Sequence, residues 1–212
     1  PTPVSAAKRK NSPMTTTVID LIRHGEPEGG QMFRGSKDDP LSDTGWQQMI
    51  AAIAEGDQWD AIVSSPMQRC QHFAQQLAEE HRIPLHIDKD LREIGFGEWE
   101  GLTAGQIQER YGDHLNRFWQ DPIAFRPPGG EAVTDFYQRT IDGFDRWQQT
   151  LAGKRVLVVC HGGVIRMVLA NVLGIPLERS FTGFAVPYAC RSRIQVDQSE
   201  FGVFRSLISH QP

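Results

Sequence analysis

The stretch RVLVVCHGGVIRMVLANVLG (155–174) constrains the fold more than any other part of the chain. Its first part, RVLVVCHGG (155–163), is the strongest strand in the sequence and is nearly all apolar. A strand with one wet face would alternate, so this one is covered on both sides, as a central strand of a parallel sheet is. VIRMVLANVLG (164–174) follows directly as a helix ended by Gly174. A strand buried on both faces needs helices above and below it.

The remaining segments fit that demand. TTVIDLIRH (16–24) is a second buried strand, and the Gly-, Pro- and Asp-rich PEGGQMFRGSKDDP (27–40) is a loop. A helix is predicted over 41–56, with Ser42 and Asp43 as capping residues and Gly56 at its end. DAIVSSP (60–66) is a strand stopped by Pro66. A helix over 67–81 turns Phe73, Leu77 and Ala78 to one face, and PLHID (84–88) is a short strand. Residues 89–130 are less regular, with one helix near 103–120 and the breaker DPIAFRPPGG. The helix 134–151 spaces Phe136, Ile141, Phe144 and Trp147 for one face, and RSRIQVDQ and FGVFRSLI form a terminal strand pair. The alternation predicts a three-layer α/β/α sandwich with a mostly parallel central sheet. In such sheets ligands bind outside the carboxyl ends of the strands. One domain is expected over 16–212, with 89–130 as an insertion partly covering the site.

Composition narrows the function classes. The chain has 212 residues, with 26 acidic against 22 basic. A net charge of −4 gives no global grip on nucleic acid, which needs a basic excess or stripe. The three cysteines, Cys70, Cys160 and Cys190, are odd in number and widely spaced, which argues for a reducing compartment and a cytoplasmic location. No apolar run approaches the ~20 residues of a membrane span. Residues 1–15 carry KRK at 8–10 but no apolar signal core, and are expected to be a disordered extension. Met14 is a candidate natural start.

Two predicted strands end in His-Gly: VIDLIRHGE places His24 there, and VLVVCHGGV places His161 there. One histidine alone is usually structural. Two at the carboxyl ends of two buried strands face one rim of a sheet. Arg23 precedes His24. SSPMQRC puts Arg69 in the first turn of a helix, and Gly162 and Gly163 open a helix whose free N–H groups favour an anion. The planar guanidinium fork matches phosphate oxygens. The set describes a phosphate pocket.

These residues also carry a family resemblance. LIRHGE, FRGSKDDPLSDTGWQQ, SSPMQRCQHFAQQLA, LREIGFGEWEGLT, PPGGEAVTDFYQR and VLVVCHGGVIRMVLA occur in the order seen in the histidine phosphatase superfamily, and the match covers nearly all residues from Thr16 onward. The resemblance implies the phosphoglycerate-mutase-like fold and metal-independent hydrolysis of a small phosphate ester, with no cofactor. It implies that His24 is the nucleophile, that Arg23 and Arg69 clamp the phosphate, and that His161 binds a phosphoryl oxygen. Glu93 matches the proton donor of family phosphatases, with Glu98 and Glu100 as nearby rivals. Family members often carry an asparagine shortly after the first histidine, where this chain has EPEGGQ. Either Arg34 takes over that phosphate contact or the contact is absent.

Within the superfamily, the RHGE-P start, the FRG-S-K-D-D-P-L-S loop and the FWQDP segment resemble the alpha-ribazole phosphatase branch, which acts late in cobalamin synthesis. Phosphoglycerate mutases, broad-specificity sugar phosphatases and non-catalytic modules on the same fold are the alternatives. Trp99, Phe118, Trp119 and Phe125 are assigned to the core rather than to a pocket, and Cys160 to packing. Oligomeric state is left open.

Overall fold

The structure, a computed structural model, describes residues 13–212. Most of the predicted N-terminal extension, including KRK, therefore lies outside the described residues. Six strands form one sheet: β1 (Thr15–Arg23), β2 (Ala61–Ser64), β3 (Leu85–Ile87), β4 (Arg155–Cys160), β5 (Arg191–Ser199) and β6 (Gly202–Gln211), in the order β3-β2-β4-β1-β5-β6. The first four run parallel, while β5 and β6 add as an antiparallel edge. Among the described residues the α-helices are α1 (Asp43–Ala52), α2 (Gln68–His81), α3 (Ala104–Tyr111), α4 (His114–Gln120), α5 (Val133–Thr150) and α6 (Gly162–Leu173).

The apolar run in β4 feeds two cores. Val156, Val158 and Cys160 face a cluster that includes Phe136, Ile141 and Phe144 of α5 and Val164 and Val168 of α6. Leu157 and Val159 face the opposite cluster, with Met49 of α1 and Phe73, Leu77 and Ala78 of α2. The period-two alternation of a strand thus serves two apolar layers at once. This is the predicted three-layer α/β/α sandwich.

Several boundaries differ from the sequence expectation. The helix expected near 103–120 is two helices, broken at Gly112, whose φ of 61° lies in the region that favours glycine. The helix expected over 41–56 stops at Ala52; Ser42 caps its start, its side chain accepting from the Gly45 amide at 3.0 Å, and Gly56 lies in the turn beyond it. The last two helices begin one or two residues early, and the two central strands stop one residue before their histidines, so His161 is the residue that caps α6. Trp99 and Phe118 are fully buried, as assigned, but Phe125 is an exposed side chain rather than a core one. Among the described residues, no helix is long and apolar enough to cross a membrane.

Candidate functional site

β1 and β4 are neighbours in parallel register, with Arg23 opposite Cys160. The next residue on each strand is a histidine. The His24 amide donates to the Cys160 carbonyl at 3.0 Å, which locks the two strand ends together. The rings of His24 and His161 stand edge to face with centroids 5.2 Å apart. Sequence positions 24 and 161 therefore meet because the sheet places their strands side by side.

Nδ1 of His24 lies 2.7 Å from the Gly25 carbonyl oxygen. A carbonyl only accepts, so Nδ1 carries the proton and Nε2 keeps its lone pair. Burial, reinforced by Arg23 and Arg69, holds the His24 imidazole neutral well below the usual histidine range. His161 is fully buried, with Nε2 2.7 Å from the Ser65 hydroxyl; burial and Arg69 lower it in the same way. Two neutral imidazoles, one with a free nucleophilic nitrogen, lie side by side.

The arginines flank them. Arg23 donates Nη1 to the Val186 carbonyl at 2.7 Å, and its guanidinium stacks 4.4 Å from the Tyr188 ring centroid. Arg69, fully buried, donates Nη1 to the Lys37 carbonyl at 2.6 Å and Nη2 to the Gly35 carbonyl at 2.9 Å. In both side chains Nε is buried and has no protein acceptor. A buried donor without a partner is costly, and an acceptor-only oxyanion relieves that cost.

The three rival acids separate cleanly. Glu93 lines the cavity above the histidines and accepts from the Gly163 amide at 3.1 Å and the Ile94 amide at 3.0 Å. Burial raises its carboxyl above the usual range, against the opposing pull of those amides and the arginines. The carboxylate packs so closely on α6 that a Cβ on Gly163 would lie 2.2 Å from Oε1. Glu98 turns outward and accepts from the Tyr111 hydroxyl. Glu100 is enclosed by backbone amides of the loop before α1, Gly35 to Lys37, and by that of Phe96. Of the two amides expected to be free at the start of α6, that of Gly163 is thus taken by Glu93, while Gly162 lines the cavity beside Arg23.

Arg34 also lines the cavity, but it is tied down: Nε pairs with Asp39 at 2.7 Å and Nη2 donates to the Glu28 and Gly30 carbonyls. Cys160 is buried, with its thiol pushed well above the ordinary range by burial, consistent with packing. Among the described residues, no three His, Cys, Asp or Glu side chains gather in a way that could hold a metal ion.

The family model for the histidine phosphatase superfamily (branch 1) matches residues 19–207. The chain belongs to that superfamily.

Its relatives are diverse in substrate. A bifunctional protein of Mycobacterium tuberculosis is 37% identical over 164 residues, which are 75% of this chain but only 45% of that protein. The chain thus spans less than half the length of that relative. The adenosylcobalamin/alpha-ribazole phosphatase of Escherichia coli is 29% identical over 196 residues, covering 89% of this chain and 94% of the relative. The solved structure of a mycobacterial glucosyl-3-phosphoglycerate phosphatase complexed with VO3 matches with a TM-score of 0.80 at 25% identity, over 91% of this chain and 97% of that one.

Sequence reasoning missed most of the wall of the cavity beyond the predicted site residues. The cavity has a volume of about 760 Å³. Phe33, Phe96, Trp119 and Phe181 line its mouth, and Tyr188 lines the cavity beside Arg23 and His24. Trp119, expected in the core, is only partly buried. Arg166 reaches the same cavity from α6 and donates to the Phe184 carbonyl at 2.7 Å. Its signal was present in the sequence: it lies three residues after Gly163, on the same helical face.

Proposed function

We propose that this chain hydrolyses a phosphomonoester through a phosphohistidine on His24. The observation that carries the reading is the single free nitrogen of His24, fixed as Nε2 by the Gly25 carbonyl, beside two buried guanidinium Nε–H groups that have no protein acceptor. Arg23, Arg69 and His161 hold the phosphoryl oxygens, with Gly162 letting the group approach α6. Nε2 bonds to phosphorus as the bond from phosphorus to the leaving oxygen breaks. Glu93, whose hold on a proton is strengthened by burial, gives its proton to that oxygen. Its carboxylate then takes a proton from water, whose oxygen bonds to phosphorus as the P–N bond breaks, releasing inorganic phosphate. Arg34 closes the wall of the phosphate end.

The proposed domain is 16–212, with 89–130 as a partial cover. Glu93, Phe96, Thr103 and Trp119 in the lining all come from that segment. The free, buried cysteines suit a reducing, cytoplasmic setting.

For the leaving group, the aromatic mouth favours a ring-bearing alcohol such as alpha-ribazole, carried in as its 5′-phosphate or the cobamide form, the substrate class in the name of the Escherichia coli relative. One observation favours a second reading. Arg166 has no carboxylate partner among the described residues, and a phosphoglycerate substrate would supply one. The test is initial rates in EDTA on alpha-ribazole phosphate, phosphoglycerates, glucosyl-3-phosphoglycerate and sugar phosphates, with labelling of the enzyme quenched in alkaline detergent and the label then challenged with acid. An acid-labile phosphoenzyme that is lost in His24→Ala is expected. Undiminished turnover in that variant overturns the mechanism.

A further inference from the structure

Arg69, in the first turn of α2, is fully buried close enough to His24 and His161 for its charge to act on both, and a fully buried guanidinium must be aimed by something. Its acceptors are backbone carbonyls of one short turn: Lys37 at 2.6 Å, Gly35 at 2.9 Å and Arg34 at 3.5 Å. Nη2 is spent on that turn and Nη1 gives it one of its two N–H groups, while Nε has no partner. The position of the 34–37 turn therefore sets the direction of the Arg69 donors left for a ligand.

The same turn presents its amides to the other side, and there they converge on a single carboxylate. Glu100 accepts from Gly35 at 3.0 Å, Ser36 at 2.8 Å and Lys37 at 3.3 Å, and Phe96 adds a fourth amide at 3.0 Å. The fit admits little play. A Cβ on Gly35 would lie 1.9 Å from the Ile94 carbonyl oxygen and 2.7 Å from Glu100 Oε1. The turn is thus clamped between a carboxylate that gathers its N–H groups and a guanidinium that gathers its C=O groups. Asp38 fixes the next residue to α2, accepting from the Gln68 amide at 2.7 Å.

We propose that Glu100 is a positioning residue of the phosphate site: through the Gly35–Lys37 turn it aims Arg69, and its carboxylate is required for oxyanion affinity although it lies outside the cavity lining. The proposal rests on the phosphate-site reading above. It also gives a role to an acidic side chain of this sequence motif that, unlike Glu93, does not line the cavity.

The test is a double-mutant cycle read as orthovanadate inhibition, with kcat and KM measured alongside. Glu100→Gln keeps size and shape but turns an amide donor toward backbone donors. It is expected to weaken vanadate inhibition about tenfold, the scale of one lost charge-assisted hydrogen bond. The loss should appear in KM before kcat. In an Arg69→Ala background the same substitution should add less than about twofold, because the group it aims is gone. Glu100→Asp should recover part of the affinity. If Arg69→Ala weakens vanadate while Glu100→Gln does not, or if the two losses are additive, the positioning role is wrong and the phosphate site stands. If Arg69→Ala leaves vanadate affinity intact, the phosphate-site reading fails, and this inference with it. If Glu100→Gln does not fold, Ser36→Pro, which removes one amide from the carboxylate, replaces it in the cycle with the same criteria.

Discussion

The two ends of the cavity are built on different principles. The deep end is polar, made from residues at the ends of β1 and β4 and the start of α2, and nearly every group there has a fixed partner. The mouth is aromatic, drawn from loops and from α4, and its side chains pack on one another rather than hydrogen-bond. The contrast separates chemistry from selection. A tetrahedral dianion looks the same in every substrate, so its donors can be fixed by regular structure. Leaving groups differ, and the loop-built wall is the part that can change without touching the sheet.

The largest effect that can test this division is His24→Ala. It should lower kcat on every substrate by roughly 10⁴-fold or more, the scale for removing a nucleophile that acts as part of a unit. A loss confined to one substrate would erase the distinction between the two ends. Next, Glu93→Gln should cost about 10²–10⁴-fold with a poor alkoxide leaving group but little with p-nitrophenyl phosphate, whose phenolate needs no proton. Gly163→Ala should act in the same direction more weakly, because the new methyl displaces the Glu93 carboxylate rather than the backbone. Rates on paired substrates decide both.

At the mouth, Trp119→Ala should raise KM for a ring-bearing substrate by about tenfold and leave p-nitrophenyl phosphate kinetics nearly unchanged, the size of one lost aromatic contact. An equal kcat loss on both substrates would mean that the mouth takes part in the chemistry. The smallest expected effect is on stability. His24 and His161 have folded values well below the ordinary 6.5, so below that pH the unfolded chain binds protons that the folded chain refuses. Stability should therefore fall as pH drops through 6.5 toward the lowered values, and melting temperature should fall with it. Inorganic phosphate should offset part of that fall by binding the folded form alone.

The same contrast governs what could be read from the sequence. The deep end was legible because each part is announced locally. An apolar run, a histidine and a glycine in succession mark a buried strand turning into a ligand-facing loop, and Arg69 follows a proline-stopped strand. The mouth was not. Residues 175–190 supply Phe181, Val186, Pro187 and Tyr188 to the lining yet carry no periodicity, because an irregular segment takes its shape from what it packs against. Trp119 was misassigned for a related reason. In a helix its spacing matches a core face, and the break at Gly112 that separates α4 from α3 depends on the positive φ there, not on any pattern of polarity. Arg34 was placed in the right neighbourhood, but its partners, Asp39 and two carbonyls, are set by how the loop folds back on itself.

The amide of His24 bonded to the carbonyl of Cys160 has a consequence for how activity is acquired. β4 is made late in the chain and must slot between β1 and β2, which are made early. Until it does, the two histidines belong to separate pieces of polypeptide, and a fragment ending before β4 holds only half of the histidine pair. Pairings this remote in sequence carry a high loop-closure cost and form slowly. Regain of turnover after dilution from denaturant is then a clock for insertion of the central strand, and it should lag behind the return of helical signal.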